Sequence, residues 1–391
     1  MLRNFFKITT RNFLKNKSYV LINLLGLGLS LACCIVGYLN YKYTSDFDKN
    51  HLNHEKIFKI HAYKEVQNDE VQIGITPLPL GDQIKDRYAG ISKTARYASS
   101  GLVLKKELKV FNQNIGFAEP SFLEMFTLPL KYGSEMALTD PSKIILSNTV
   151  SESYFGTDDP TGENIYLITS EGEQLLMTVG GVFEKIPQNS SIRFSALTHF
   201  ENYYKVTDKE TNDWSEFIAG TFVLTENGQL PESLLDDMNQ NYVAVQNQAR
   251  PDFKFSSYYA IRLSELGQHV TDISYNWLNE PPPPPAVTVP FIMAALMLLI
   301  ACFNFTNTSI AISSKRLKEI GIRKVMGGSR KQLIAQFMGE NMLLSFMSVL
   351  VALLIAYFLV PTYNALWDFI DIKLSLTENL EIYGFLLAYL C

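Results

Sequence analysis

The chain has 391 residues, a net charge of −5, 47% hydrophobic and 19% charged residues. That length suits two or three domains, and no nucleic-acid partner is expected. Residues 40–285 contain no cysteine, which excludes a disulfide framework there and leaves packing to hold that region together.

Residues 1–18 carry Arg3, Lys7, Arg11, Lys15 and Lys17 and no acid. Residues 19–39, YVLINLLGLGLSLACCIVGYL, then run 21 residues without a charge. A bilayer core about 30 Å thick takes roughly 20 helical residues, so this run predicts a transmembrane helix. It is longer than the apolar part of a signal peptide, and no Ala-x-Ala cleavage site follows it. Cys33, Cys34 and, further on, Cys302 sit inside such runs and read as small apolar residues.

Residues 40–285 are enough for an independent core, and their mixed signals predict an α+β domain. In 143–156, KIILSNTVSESYFG reads as a short strand and then a helix started by Ser147 or Asn148. DDPTGENIYLI (158–168) is a turn feeding a strand. QLLMTVGGVFEKI (174–186) alternates as a strand, with Gly180 and Gly181 marking a bulge or a close backbone approach. Residues 187–200 read as a loop and a further strand or turn, and 201–250 as a polar stretch with weak helical signals. His51, His54 and Glu55 could be drawn as a metal site, but one open segment would enclose an ion poorly. A solvated stretch beside the membrane is the simpler reading. Five prolines at 281–285 predict polyproline II, about 3.1 Å per residue. They read as a stiff spacer between this domain and the membrane, with a docking ligand for an aromatic groove as the alternative.

A second span is assigned to 286–312, with 18 uncharged residues from Ala286 to Phe303. Its polar end, Asn304, Thr306, Asn307, Thr308 and Ser309, is expected to hydrogen-bond across packed helices or to mark the cytoplasmic end. Residues 313–338 form a basic loop, with Lys315, Arg316, Lys318, Arg323, Lys324, Arg330 and Lys331 against Glu319. A third span covers 339–361. The loop 362–381 then carries Asp368, Asp371 and Glu378 against Lys373, and 382–391 is apolar for only 10 residues, the start of a fourth helix within which the chain stops. Lysine and arginine collect on cytoplasmic flanks. The N-terminus and 313–338 are therefore expected inside, and 40–285 and 362–381 outside. The fold class is an α-helical membrane protein with a large α+β extracytoplasmic domain, three complete transmembrane helices and a truncated fourth.

Within the basic loop, Arg316, Glu319 and Arg323 form one helical stripe, and Glu319 can pair with Arg323 four residues on. Gly327 and Gly328 stop that helix. Ser329 then reads as an N-cap with Gln332 as its capping-box partner, opening a helix that runs into the third span. Apolar residues flank the charged stripe on both sides. A helix lying on lipid would segregate them more cleanly, whereas one inserted in a groove of a cytoplasmic partner would bury more of its circumference.

KRLKEIGIRKVMGGSRKQLIAQFMGENMLL (315–344) resembles the segment after the second span of FtsX/MacB-type ABC transporter permeases. LLIACFNFTNTSIA (298–311) and RNFLKNKSYVLINLLGLGLSLA (11–32) are similar to the same family. LTDPSKIILSNTVSESYFGTDDPTGENI and TVGGVFEKIPQNSSIRF resemble its periplasmic core domain. The likeness is to the N-terminal half of larger permeases with two similar halves. It implies that the short helix docks on a separate ATPase, whose ATP-driven dimerisation moves the periplasmic domain. The coupling residues would be Lys318, Glu319, Ile320, Gly321, Ile322, Arg323, Lys324 and Val325, with Gly327 and Gly328 as the bend. Gly328 departs from the family, which often has a small residue such as alanine there.

It implies further a bacterial inner-membrane location and an export or mechanotransmission role with peptide, antibiotic, lipid or lipoprotein cargo. The expected partners are a cytoplasmic ATPase dimer that holds ATP and magnesium, a second permease half or subunit, and a periplasmic adaptor or outer-membrane component. No cofactor is expected on this chain, which has no Gly-x-x-x-x-Gly-Lys-Ser/Thr phosphate loop and so reads as no enzyme. Two other readings fit the same residues: a relay that activates a periplasmic enzyme, and a membrane receptor whose basic loop binds only lipid.

Overall fold

A computed structural model describes residues 2–67, 69–169, 171–315, 317–326, 329–367, 370–375 and 379–390; for 2–8, 315, 317–319 and 323 it describes the backbone alone. The chain forms two compact units, residues 1–45 with 282–391 and residues 46–281.

The first unit is helical. Its long helices, Lys17–Ser45, Pro284–Lys315 and Arg330–Asn364, are apolar, and at about 1.5 Å per residue each exceeds the roughly 30 Å of a bilayer core. Helices Leu2–Lys15, Leu317–Val325 and Leu380–Leu390 are shorter. Between lipid-like surfaces there is little hydrophobic drive for helices to associate, so small residues and polar bonds do the work. Lys17–Ser45 shows this on the face it turns to Pro284–Lys315. Ser30 Oγ donates to the Met297 carbonyl (3.3 Å), Cys34 Sγ to that of Ala294 (3.5 Å) and Asn40 Nδ2 to that of Ala286 (3.2 Å). A Cβ at Gly37 would lie 3.5 Å from the Phe291 backbone. Another face of the same helix packs Leu31, Ile35 and Leu39 in one cluster with Ala352 and Ala356.

The polar end of the second long helix crosses to a neighbour at one described position. Ser309 Oγ meets Tyr19 Oη at 2.9 Å, whereas Thr306 and Thr308 bond the carbonyls four residues back in their own helix. The five-proline spacer is also corrected. Pro284 and Pro285 are the first two residues of the helix, and Ala286 N–H already donates to the Pro283 carbonyl at 2.8 Å. Proline suits a first helical turn because its fixed φ is helical and the missing N–H would be unpaired there anyway.

The second unit is α+β, built on a twelve-stranded sheet. Its centre is a long hairpin, Ile91–Lys106 with Lys109–Ala118, reversed at Glu107 in the left-handed region. The hairpin belongs to a closed ring of six strands. Lys109–Ala118 pairs Ala196–His199 in parallel, Ala196–His199 pairs Lys143–Leu146, and Lys143–Leu146 pairs Gln174–Phe183. Asn164–Ile168 then bridges Gln174–Phe183 back to Ile91–Lys106. Alternate residues point into such a barrel: Leu102, Leu104, Ile115, Phe117, Ile144, Leu146, Ile165, Leu167, Met177 and Val179 fill it as one buried cluster. Outside the ring the sheet continues through Gly220–Thr225 to Ile57–Val66, which also pairs Asp69–Ile73 and Phe255–Arg262. Helix Glu232–Ala249 covers this wing with Leu234, Met238 and Tyr242.

Several local expectations hold. Ser147 caps helix Asn148–Phe155 by accepting from Val150 N–H, and Gly156 follows with φ +80°. Gly180 and Gly181 sit where the register against Ile144 and Ile145 slips by one. A Cβ on Gly180 would collide with that of Ala137, and the Gly180 carbonyl faces Gly133, which has φ +82°. Residues 201–250, read as polar with weak helical signals, do hold the helices Glu201–Thr207 and Glu232–Ala249 but need one correction. They contain the six-residue strand Gly220–Thr225, lodged between Ile57–Val66 and Ile91–Lys106. The strand is short and begins with glycine, so it leaves little periodic signal.

Gly133→Ala places a Cβ against backbone at a left-handed position, a cost of about 2 kcal/mol or more. The expected outcome is a fall of roughly 4–8 °C in the thermal midpoint of the purified chain, followed by far-ultraviolet circular dichroism. An unchanged midpoint would contradict the close approach at Gly180.

Candidate functional site

Two places carry chemistry: the segment between the second and third long helices, and the region where the two ends of the α+β unit meet. In the first, Leu317–Val325 is a helix, and Met326 N–H extends it by donating to the Ile322 carbonyl at 3.0 Å. Ile320 is half-buried. Gly321, Ile322, Lys324, Val325 and Met326 are exposed, Val325 by 90%. Lys318, Glu319 and Arg323 take their places on the helix, but their side chains, and with them the Glu319–Arg323 pair, lie outside the described residues, as do Arg316 and the Gly327–Gly328 bend. Ser329 does form the expected capping box: its hydroxyl accepts from Gln332 N–H, and the Gln332 side chain accepts from Ser329 N–H. This fixes the start of the third long helix, because it satisfies N–H groups that have no partner within the helix. About two turns further along, the buried Glu340 carboxylate accepts from Asn12 Nδ2 (2.9 Å) and Gln336 Nε2 (3.1 Å). Leu2–Lys15 is thereby tied to the third long helix.

In the second place, the loop Pro187–Ser191 receives both ends of the α+β unit. Asp48, three residues into that unit, is fully buried with φ +61°. Its carboxylate accepts from Ser191 N–H (2.6 Å), Ser191 Oγ (2.5 Å) and Ser190 Oγ (3.1 Å), and its own N–H donates to the Asn189 carbonyl. At the other end, Asn279 N–H donates to the Ser191 carbonyl and Asn279 Nδ2 to that of Ser190. Nearby, the fully buried Lys59 ammonium donates to Asn276 Oδ1 at 3.2 Å.

His51 belongs to the same cluster. It is fully buried, with Nε2 3.0 Å from Ser190 Oγ and the ring edge-on to Phe126. The expectation of a solvated stretch fails at this residue: its imidazole is needed beneath the loop. Among the described residues no group of three histidine, cysteine or acidic side chains is placed to hold a metal ion. Spacing gave no hint of this cluster, since Asp48 and Ser190 are 142 residues apart. The one available signal was the polar run QNSS in the middle of a strand-rich stretch.

Burial pushes the Asp48 carboxyl up to about 6, the serine bonds opposing it, and pushes His51 down to about 4. The two effects on stability have opposite sign. Asp48 binds its proton more tightly in the folded chain, so its contribution is complete below the ordinary carboxyl pKa and is lost as pH rises through about 6. His51 must stay neutral, so its contribution is complete above the ordinary imidazole pKa and is lost as pH falls through about 4. Between about pH 4 and 6 the two slopes offset each other. Asp48→Asn should therefore give a chain whose stability climbs with pH across that window, and His51→Gln one whose stability declines, each by roughly 3 kcal/mol. Denaturant melts at several pH values read both slopes; two variants with the same sign would refute the pairing.

The barrel side of this region opens into a cleft of about 680 Å³, lined among others by Gln113, Asn114, Asn148, Gln188, Arg193 and Trp277. A second cleft of about 500 Å³ surrounds Arg96. Arg96 there is already saturated. It pairs with Asp82 and Glu119 at 2.7 Å, donates to Tyr204 and stacks on Phe200.

Comparison with known proteins agrees with this division. Residues 20–241 match the family described as MacB-like periplasmic core domain, and residues 291–391 the one described as FtsX-like permease C-terminal. Over 123 residues the chain is 28% identical to the "Uncharacterized ABC transporter permease YknZ" of Bacillus subtilis (strain 168); the match spans 29% of this chain and 31% of that relative. Among solved structures, a permease-protein domain from Porphyromonas gingivalis aligns over 62% of this chain and 99% of its own, at 19% identity and a TM-score of 0.43. The periplasmic region of MacB from Actinobacillus actinomycetemcomitans aligns over 56% and 94%, at 11% identity and 0.39. The first family match alone covers more than half of the sequence and the second most of the remainder, so the chain belongs to the ABC transporter permeases of the FtsX/MacB type.

Proposed function

We propose that this chain is the permease subunit of an ATP-driven complex, and that Leu317–Val325 is the handle by which a separate cytoplasmic ATPase dimer, carrying the ATP and magnesium, moves it. The observation that carries this is the placement of a short helix with exposed Ile322, Val325 and Met326 between two membrane-length helices, in a chain of this family. Exposed apolar side chains beside Lys324 suit a protein groove better than water. Lys318, Glu319, Ile320, Gly321, Ile322, Arg323, Lys324 and Val325 form the contact, and Gly327 and Gly328 the bend behind it.

The basic N-terminus and this loop lie on the cytoplasmic side of the bacterial inner membrane, as the lysine and arginine distribution favours, and the α+β unit on the periplasmic side. The output is mechanical, for export or for acting on a periplasmic partner. Support for a mechanical output comes from the α+β unit itself: both of its ends are bonded to one loop, so a displacement of either end is carried into the barrel strands that follow Ser191.

The test is co-purification of the full chain with its ATPase from a membrane extract. Ile322→Asp and Val325→Asp should each reduce ATPase capture by about tenfold or more, because a buried unpaired carboxylate costs several kcal/mol. Leu108→Asp, at the hairpin tip of the other unit where the side chain is 99% exposed, should leave it unchanged. Equal capture by all three would exclude the handle. A cysteine at Ser329 should resist reagents that do not cross the inner membrane; labelling in intact cells would reverse the orientation.

A further inference from the structure

The 680 Å³ cleft of the α+β unit lies within the range of ligand sites. None of the described residues that line it is acidic, while Lys185 and Arg193 are cations. The Arg193 guanidinium has no hydrogen-bond or ion-pair partner among the described residues. Arg96, in the other cleft of the same unit, spends its donors on Asp82, Glu119, the Leu78 carbonyl and Tyr204. An arginine presents a rigid planar fork of five donors and accepts nothing. One left open on the wall of an acid-free cleft calls for an oxyanion.

The rest of the wall narrows the class. Gln113 and Gln188 offer primary amides with donors and an acceptor, the pattern a peptide bond presents in return; Asn114 and Asn148 each spend one N–H, on the Arg193 carbonyl and on Glu152, and keep a second. The Gln188 Oε1 atom is buried and has no partner, so it awaits a donor such as a peptide N–H. A sugar, rich in hydroxyl donors, would call for carboxylate acceptors, and the wall has none. Trp277, 51% exposed on the rim, offers a flat apolar surface against which a side chain or peptide plane can lie.

We propose that this cleft binds an acidic peptide, with Arg193 pairing its carboxylate, the amides bonding its backbone and Trp277 covering it. The proposal is independent of the ATPase handle. The peptide also touches Gln188, Ser191 and Asn279, which belong to the loop and chain end bonded to one another beside Asp48. Its occupancy is thus felt where both ends of the unit are fastened.

The experiment titrates the full chain, in lipid nanodiscs, with an acetylated and amidated pentapeptide alternating serine and glutamate, read by calorimetry and by tryptophan emission. The same peptide with lysine for glutamate, and a galacturonic acid trimer, are the comparison probes. The glutamate peptide should bind and alter the emission, and the lysine peptide should bind at least tenfold more weakly. Arg193→Ala should weaken the glutamate peptide by roughly 10–100-fold, the value of a charge-assisted pair, with the melting temperature unchanged because the guanidinium supports nothing in the fold. Asn114→Asp, which adds an acid to the wall, should do the same and serves if the alanine variant misfolds. Equal binding of the two peptides, no effect of either variant, no binding of the glutamate peptide, or binding of the saccharide alone would each overturn the proposal.

Discussion

The carboxylate of Asp48 is the constraint on which the α+β unit depends. A domain inserted between two helices of a bundle must bring its first and last residues together. Here closure is made by bonds from each end to a third segment, Pro187–Ser191, which is distant in sequence from both. A buried carboxylate is costly unless its lone pairs are filled, and Asp48 has three donors from two serines. The left-handed backbone at Asp48 is tolerated because aspartate is among the few residues that visit that region readily. The same loop runs on into Ala196–His199, a stave of the barrel. The closing bonds and the barrel wall are therefore one continuous piece of chain.

Two buried cations illustrate different solutions to the same problem. Arg96 is surrounded by two carboxylates, a phenol and a carbonyl, and its guanidinium pKa is raised further although burial alone would lower it. Lys59 donates to the neutral Asn276, and burial brings its ammonium down to about 7, with the Glu280 charge opposing. Its neighbour His61, fully buried as well, is held well below the ordinary imidazole range. Lys59 is accommodated because Gly220 on the adjacent strand leaves room: a Cβ there would come within 2.7 Å of its Cε. The missing side chain in Gly220–Thr225 and the buried lysine on Ile57–Val66 are thus a matched pair.

What the sequence made legible follows from range. Features governed by residues within a turn of each other were readable: the Ser147 cap, the Ser329–Gln332 box, the glycine bulge at 180–181 and three helices long enough to span. Features set by distant partners were not. His51 looked solvated because nothing near it in sequence announces the serines that cover it. Gly220–Thr225 looked like part of a polar stretch because its neighbours across the sheet are more than 100 residues away. Pro284 and Pro285 were misread for another reason. A proline run is compatible with polyproline II and with a helix start alike, and the choice rests on the apolar helix that follows. The segment between the second and third long helices is legible as a helix and a cap, whereas the cleft at Arg193 is not legible at all, since its wall is assembled from five separate stretches of chain.

The two units also differ in how polar side chains are used, and the difference bears on motion. Among the described residues of the helical unit, many polar bonds are short-range. Thr44, Ser314, Ser348 and Thr362 each donate to the carbonyl four residues earlier. Such bonds travel with the helix and survive when one helix slides or tilts against another. The cross-helix bonds from Ser30 and Cys34 end on carbonyls inside a regular helix, whereas Asn40 bonds the Ala286 carbonyl, whose partner four residues on would be Pro290, which has no N–H. In the α+β unit, by contrast, Asp48 and Asn279 bond a loop distant from both in sequence, and Asn202 and Asn247 fasten helices to the segments beside them. Breaking any of these strands a buried polar group. Among the described residues, the polar contacts within the helical unit are thus cheaper to rearrange than those within the α+β unit.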